Sequence, residues 1–183
     1  MSLKTAITDI MTRVREIEEV KFVHVFNNQF EYMEQQQSYS FPFPCVFVEI
    51  LNPAAFAQLG GGYQQSDLDI RIHIGMEQYD SGDGNMEQNL DIFDLRDLVF
   101  QKLSLYKPTM CSELFKVAEE QDYQHSNVYH YLMDFKTCFI DKTASTLIEP
   151  TLVDPVTLEL QVTRENTDGS LEPGIFISEI ITD

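Results

Sequence analysis

The chain has 183 residues and carries 30 acidic against 12 basic side chains, which gives a formal net charge of −18. Binding to nucleic acid by phosphate neutralisation needs an electropositive surface, so this balance argues against a tight DNA or RNA binder. Hydrophobic residues make up 43% of the chain, enough for one folded domain with a core. The apolar runs fall well short of the roughly 20 residues of a membrane span. Residues 1–20 also lack the continuous apolar segment of a signal peptide.

The first fifty residues predict a helix followed by two strands. Apolar residues at steps of three and four predict an amphipathic helix over residues 3–20: Leu3, Ile7, Ile10, Val14 and Ile17. A short strand at 22–26 ends at the turn-prone pair Asn27-Asn28. The Gln- and Tyr-rich stretch 29–40 predicts an extended arm or a hairpin. Pro42 and Pro44 then favour an extended backbone, which leads into a nearly all-apolar central strand at 45–50.

The next segment combines an uncharged stretch with a strongly patterned strand. Residues 51–66 contain no charged side chain, although 23% of the whole chain is charged, and Gly60-Gly61-Gly62 predict a flexible loop there. Residues 67–74 alternate polar and apolar side chains, which predicts a half-buried strand. Its core-facing residues are Leu68, Ile70, Ile72 and Ile74.

A second helix and a hairpin are predicted in the middle of the chain. A loop at 80–85 precedes a helix over 86–103, which Lys107-Pro108 should end. The apolar face of this helix comprises Leu90, Phe93, Leu95, Leu98, Val99 and Leu103. Strands at 115–121 and 128–140, joined by a turn near 124–127, form the hairpin.

The composition changes near the end of the chain. Residues 144–183 hold eight acids, a single base (Arg164) and three of the seven prolines. Segment 158–162 alternates, Asp168-Gly169 marks a turn, and 175–181 is apolar. We therefore predict an α+β domain over residues 1–143, with a mainly antiparallel sheet packed by two helices. An acidic, β-rich C-terminal extension or small hairpin should follow over 144–183.

Sequence motifs for ligand chemistry are absent or incomplete. A phosphate-binding glycine loop needs a nearby cation, and neither Lys nor Arg occurs between Lys21 and Arg71. The acidic loop at 80–85 fails the calcium-loop pattern, which would place glycines at ligand positions three and five. We expect it to be an ordinary turn. The three cysteines (Cys45, Cys111 and Cys138) show no CxxC spacing, so buried, reduced thiols are expected.

The histidines show no ligand spacing either. His24 and His73 fall in predicted strands, whereas His125 and His130 lie around a turn. Without an HExxH or GxSxG motif, we expect structural histidines and no catalytic, cofactor-binding or metal-binding residues. A weaker alternative is a small hydrolase or metal-dependent enzyme whose site lies around His73, Asp80 and Asp83.

The order of elements resembles a family of virion proteins. The segments PFPCVFVEI (42–50), DLDIRIHI (67–74), NLDIFDLRDLVFQKL (89–103) and FKTCFID (135–141) are similar to those of tail terminator or tail-completion proteins of tailed bacteriophages. The resemblance covers about residues 3–141 and rests on element order and residue character. It implies helices packed on a curved sheet and a homo-oligomeric ring, commonly a hexamer, with no cofactor.

That ring would cap the tail tube and join it to neck proteins of the virion, after synthesis in the bacterial host cytoplasm. Its negative charge would suit a lumen through which DNA slides. Burial of charge at an interface is costly, so the neutral segments predict the subunit contacts. The candidate interface residues are Phe30, Tyr32, Tyr39, Phe56, Leu59, Gly61 and Tyr63. The alternatives are another head–tail connector subunit or a non-viral protein–protein interaction module.

Overall fold

The first unit of the chain folds as a mixed β-sheet with helices on its faces. A computed structural model describes residues 3–36, 41–51, 55–77, 90–125, 128–147, 164–165 and 171–172. The described helices are α1 (Leu3–Arg15), α2 (Gln29–Gln36) and α3 (Asp91–Leu103), with a 3-10 turn at Thr143–Leu147. The described strands are β1 (Phe22–Val25), β2 (Cys45–Leu51), β3 (Phe56–Gly60), β4 (Tyr63–Glu77), β5 (Phe115–Asp122), β6 (Val128–Asp141), β7 (Arg164–Glu165) and β8 (Leu171–Glu172). The predicted α+β fold is confirmed.

The chain divides into two compact units, Met1–Ile148 and Glu149–Asp183. In the second unit, β7 and β8 pair antiparallel. The remaining C-terminal predictions, the alternating segment 158–162, the Asp168-Gly169 turn and the apolar segment 175–181, lie outside the described residues. So do the acidic loop at 80–85 and the start of the second helix at 86–89.

Strand pairing in the first unit is mainly antiparallel, as predicted. The strand order is β1-β2-β4-β6-β5, and β3 pairs with the first residues of β4. Only β1 and β2 are parallel among these described pairs. The long strands β4 and β6 pair along nearly their whole length, so they form the centre of the sheet.

The period-two pattern of β4 separates the two faces of this sheet. Leu68, Ile70, Ile72 and Ile74 are all at most 3% exposed, which confirms their predicted core position. They share one apolar cluster with Ile10 and Val14 of α1 and with Val99 and Leu103 of α3. Full burial of each such side chain stabilises the fold by about 1.5–3 kcal/mol. The polar residues between them face the other side of the sheet.

The first helix is shorter than predicted, whereas the second ends where predicted. α1 ends at Arg15 instead of residue 20, because a turn donates the Ile17 N–H to the Val14 carbonyl (3.0 Å) and directs the chain into β1. Ile17 nevertheless remains buried. α3 ends at Leu103, as predicted, and there the Ser104 N–H donates to the Phe100 carbonyl.

The apolar face of α3 is also narrower than predicted. Leu90 and Phe93 are exposed to solvent, so their assignment to that face is wrong. Ile92 occupies the core position instead, because its spacing to Leu95 and Val99 places all three on the buried side.

The Gln- and Tyr-rich arm is partly helical, contrary to prediction. Residues 29–36 form α2, and the Gln29 side chain organises its start by accepting the Asn27 N–H (2.6 Å) and donating to the Val25 carbonyl (2.8 Å). Asn28 adopts a left-handed φ of 53° at the turn before the helix.

The uncharged segment 51–66 contains a hairpin where a flexible loop was predicted. β3 and β4 pair from Phe56↔Ser66 to Gly60↔Tyr63. All three glycines at the turn have positive φ angles, of 92°, 57° and 76°, a conformation that glycine adopts without steric cost. The glycines therefore form a tight turn.

A second apolar cluster covers one end of the opposite sheet face. Phe30 of α2 packs with Phe47, Phe41, Cys45 and Val128. The space for Phe30 exists because Gly75 lacks a side chain: a Cβ there would lie 2.7 Å from the Phe30 ring and 2.8 Å from the Cys45 Sγ.

Substitution of Gly75 by alanine should therefore overpack this cluster. We expect Gly75→Ala to lower the free energy of unfolding by about 1–3 kcal/mol, measured by urea denaturation. The double variant Gly75→Ala/Phe30→Leu serves as the control, since a smaller side chain at 30 relieves the clash. Strict additivity of the two single losses would contradict this packing.

Candidate functional site

Four polar side chains from four neighbouring strands meet on the sheet face opposite α1 and α3. Glu49 lies on β2, His73 on β4, His130 on β6 and Asp122 on β5. Strand alternation turns all four toward the same face, and the strand order brings them into one diagonal row. We call these four residues the relay.

Consecutive members of the relay lie at hydrogen-bonding distance. Glu49 Oε2 lies 3.0 Å from His73 Nε2, and His73 Nδ1 lies 3.0 Å from His130 Nε2. The other ring nitrogen of His130, Nδ1, lies 3.0 Å from Asp122 Oδ2. Both nitrogens of each imidazole are therefore engaged.

Burial among aromatic rings keeps both relay histidines neutral. His73 is 4% exposed and stacks on Phe26 with ring centroids 3.6 Å apart, and Phe30 lies 4.6 Å from the His130 ring. Burial, with a smaller effect of His130, lowers the pKa of His73 to about 2. Burial also lowers the pKa of His130 to about 4, against the opposing effect of Asp122.

Each hydrogen bond of the relay requires one N–H or O–H donor. Three hydrogen bonds need three donors, but two neutral imidazoles supply only two N–H groups. The third hydrogen bond needs a donor on one of the two carboxyl groups. Burial raises the pKa of Glu49, which favours that carboxyl as the donor to His73 Nε2. His73 and His130 then both carry hydrogen on Nδ1.

An ion pair borders the relay along the sheet. Arg71 pairs across the strands with Asp134 through two hydrogen bonds of 2.7 and 2.9 Å. The register places Arg71 opposite Glu49 as well. This bidentate pair fixes the guanidinium beside the relay, where its positive charge opposes the upward shift of the Glu49 pKa.

His125 extends the cluster beyond the relay. Its Nε2 lies 3.7 Å from Asp122 Oδ2, and its ring centroid lies 5.5 Å from that of His130. These side chains line a cleft of about 510 Å³, which Arg71, Asn28 and Gln124 also border. A second cavity, of about 610 Å³ and more apolar, lies between α1 and the ends of β1 and β2.

The sequence did not predict this cluster. His73 and His130 are 57 residues apart and become neighbours only through the β4–β6 register. The weaker enzyme alternative did include His73, but its other members, Asp80 and Asp83, lie outside the described residues. One available signal was the predicted hairpin, because pairing of 115–121 with 128–140 brings Asp122 close to His130.

The predicted interface residues separate into three groups. Phe56 and Leu59 are about half exposed, and Tyr63, Tyr32 and the turn residue Gly61 are also exposed. Phe30 is fully buried, so its assignment to an interface is wrong; α2 turns it inward against Gly75. Tyr39 lies outside the described residues.

The cysteines are free thiols, as expected. Cys45 and Cys111 are buried, whereas Cys138 is half-buried, which departs from the prediction for that residue. Burial raises the pKa of both buried thiols, that of Cys111 to about 11.

Comparisons with known proteins add no family assignment. Neither a scan against protein-family models nor a search of curated proteins gave a match. Within the part of the chain that the structure describes, no helix combines the length and apolarity needed to cross a membrane.

The relay should make stability depend on pH. The two histidines accept protons near pH 6.5 when unfolded but only near pH 4 or below when folded. Between pH 6.5 and about pH 4, the unfolded chain binds more protons than the folded chain does. The free energy of unfolding therefore falls as the pH falls. The raised pKa of Glu49 has the opposite effect on the free energy of unfolding, but it comes from a single group, whereas two histidines act in the first direction.

We expect His73→Gln to make this pH dependence shallower, by up to about 1.4 kcal/mol per pH unit between pH 6.5 and 4. Urea denaturation across this range, in EDTA-containing buffer, measures the effect. His24→Gln is the matched control, because its ring lies on the surface and takes no part in the relay. Equal slopes for His73→Gln and the unaltered chain would contradict the prediction.

Proposed function

We propose that this protein is a structural assembly subunit that forms a closed ring, terminates the tail tube of a tailed bacteriophage or related particle, and joins it to the neck. The observation that carries the proposal is a pair of edge strands at opposite borders of the sheet, each with exposed apolar side chains. Gln64 of β4 pairs with Gln58 of β3 on one side and with Asp141 of β6 on the other. β5 lies beyond β6, so β3 and β5 form opposite edges.

Both edges present hydrophobic side chains to solvent. The β3–β4 hairpin exposes Phe56, Leu59 and Tyr63, and residues 55–66 carry no charge. The β5 edge exposes Phe115 and Val117, with a bulge between Lys116 and Ala118. Exposed edge strands of this kind favour pairing with another chain.

Two different surfaces on opposite borders favour head-to-tail association. When one surface of each subunit contacts the other surface of the next, repeated contacts close into a ring if the rotation permits. The sequence resemblance to tail terminators supplies the expected setting for such a ring. The net charge of −18 is compatible with a channel that DNA traverses without adhering.

The ring proposal predicts the size of the assembly. Sedimentation velocity or mass photometry should detect a closed species of about six subunits, alone or on the end of purified tail tubes. A chain that stays monomeric at high concentration and does not cap tail tubes would contradict the proposal. A monomer that instead binds a different protein through β3 would favour the interaction-module alternative.

The head-to-tail arrangement predicts a specific result for mixed variants. Leu59→Glu on β3 and Val117→Glu on β5 should each prevent ring closure, because each places a charge in one half of the contact. An equimolar mixture should form a heterodimer, since the intact β3 of one variant can still meet the intact β5 of the other.

Leu90→Glu is the matched control: its side chain is 63% exposed but belongs to neither edge, so the ring should persist. Homodimers of either variant alone would contradict head-to-tail contacts, because they require a surface that pairs with itself.

A further inference from the structure

The β5–β6 hairpin gathers three potential metal ligands at the end of the relay. Asp122, His125 and His130 each offer one ligand atom, and these three atoms all lie within 4.8 Å of one another. We propose that these three atoms bind a divalent transition-metal ion of the zinc type, with His73 and Glu49 orienting His130 from behind. The proposal is independent of the ring.

The distances suit zinc. Ligands at about 2.0–2.1 Å in a tetrahedral site lie roughly 3.3 Å apart. The carboxylate oxygen of Asp122 lies 3.0 Å from His130 Nδ1 and 3.7 Å from His125 Nε2, on either side of that value. Small rotations of the side chains would bring the three atoms around one ion.

The chemistry of the donors also suits a borderline ion. Two imidazoles and one carboxylate are ligands that Zn²⁺ prefers, whereas Ca²⁺ and Mg²⁺ prefer oxygen ligands. Both histidines are at least 91% buried, and the Phe30 ring lies against each of them. The neighbouring cleft leaves the fourth coordination position to water.

The relay then supplies the supporting hydrogen bonds of a metal-binding histidine. A histidine that binds a metal through one nitrogen usually donates its other N–H to a fixed acceptor. With the ion on Nδ1, His130 donates from Nε2 to His73 Nδ1, and His73 donates from Nε2 to Glu49. Two hydrogen bonds now need two donors, which two neutral imidazoles provide.

The test is calorimetric titration of the full, EDTA-treated and dialysed chain with ZnCl₂. We expect one ion per chain, and the visible absorption of four-coordinate Co²⁺ when cobalt replaces zinc. His125→Asn and Asp122→Asn should each weaken binding at least about tenfold. His24→Gln is the matched control and should bind zinc like the unaltered chain.

Thermal unfolding separates loss of the site from loss of the fold. Zinc should raise the melting temperature of the unaltered chain but not that of His125→Asn, whose unfolding must otherwise remain cooperative. Should His125→Asn fail to fold, His125→Gln replaces it in both measurements. Zinc binding that is absent, or equally strong in the folded ligand variants, would overturn the proposal.

Discussion

The pairing of β4 with β6 is the interaction on which the rest of this structure depends. It runs from Gln64↔Asp141 to Glu77↔Val128 and sets the register of both faces at once. On one face it aligns Ile70 with Phe135 and Ile72 with Met133, which build the core under α1 and α3. On the other face it brings His73 beside His130. A slip of one residue would exchange the faces, so core packing enforces the polar register.

The polar face is stable because its groups satisfy one another. A buried imidazole without partners would cost free energy, whereas the relay engages both nitrogens of His73 and His130. The rings of Phe26, which follows β1, and Phe30 of α2 pack against the two imidazoles. The same face ends at β5, one of the two edges proposed to form the ring, so assembly and the proposed metal site share a strand.

The sequence pattern predicted those helices and strands whose apolar residues recur with the period of a helix or of a strand. The alternation in 67–74, the helical spacing of residues 3–14 and the hairpin strands of β5 and β6 belong to this class. α2 escaped prediction because, among its described side chains, those in the apolar cluster are Phe30 and Met33, and its Gln and Tyr residues favour no single structure. The three glycines permitted either a flexible loop or a tight turn, and pairing with β3 selects the turn.

The candidate site depends on contacts that local pattern does not encode. Glu49, His73 and His130 come from three strands, and only the strand order brings them together. His125 and Asp122 are close in sequence, yet their relation to His130 depends on the turn of the hairpin. Burial then changes the protonation of these groups, which composition alone does not indicate.

The hydrogen bonds and the burial of the relay hold both imidazoles neutral, each with its hydrogen on Nδ1. Nitrogen-15 NMR of the histidine rings, at pH 7 in EDTA and assigned with His→Gln variants, measures charge and tautomer together. We expect His73 and His130 to be neutral and to carry hydrogen on Nδ1. A charged imidazolium at either position, or hydrogen on Nε2 of His130, would overturn this assignment.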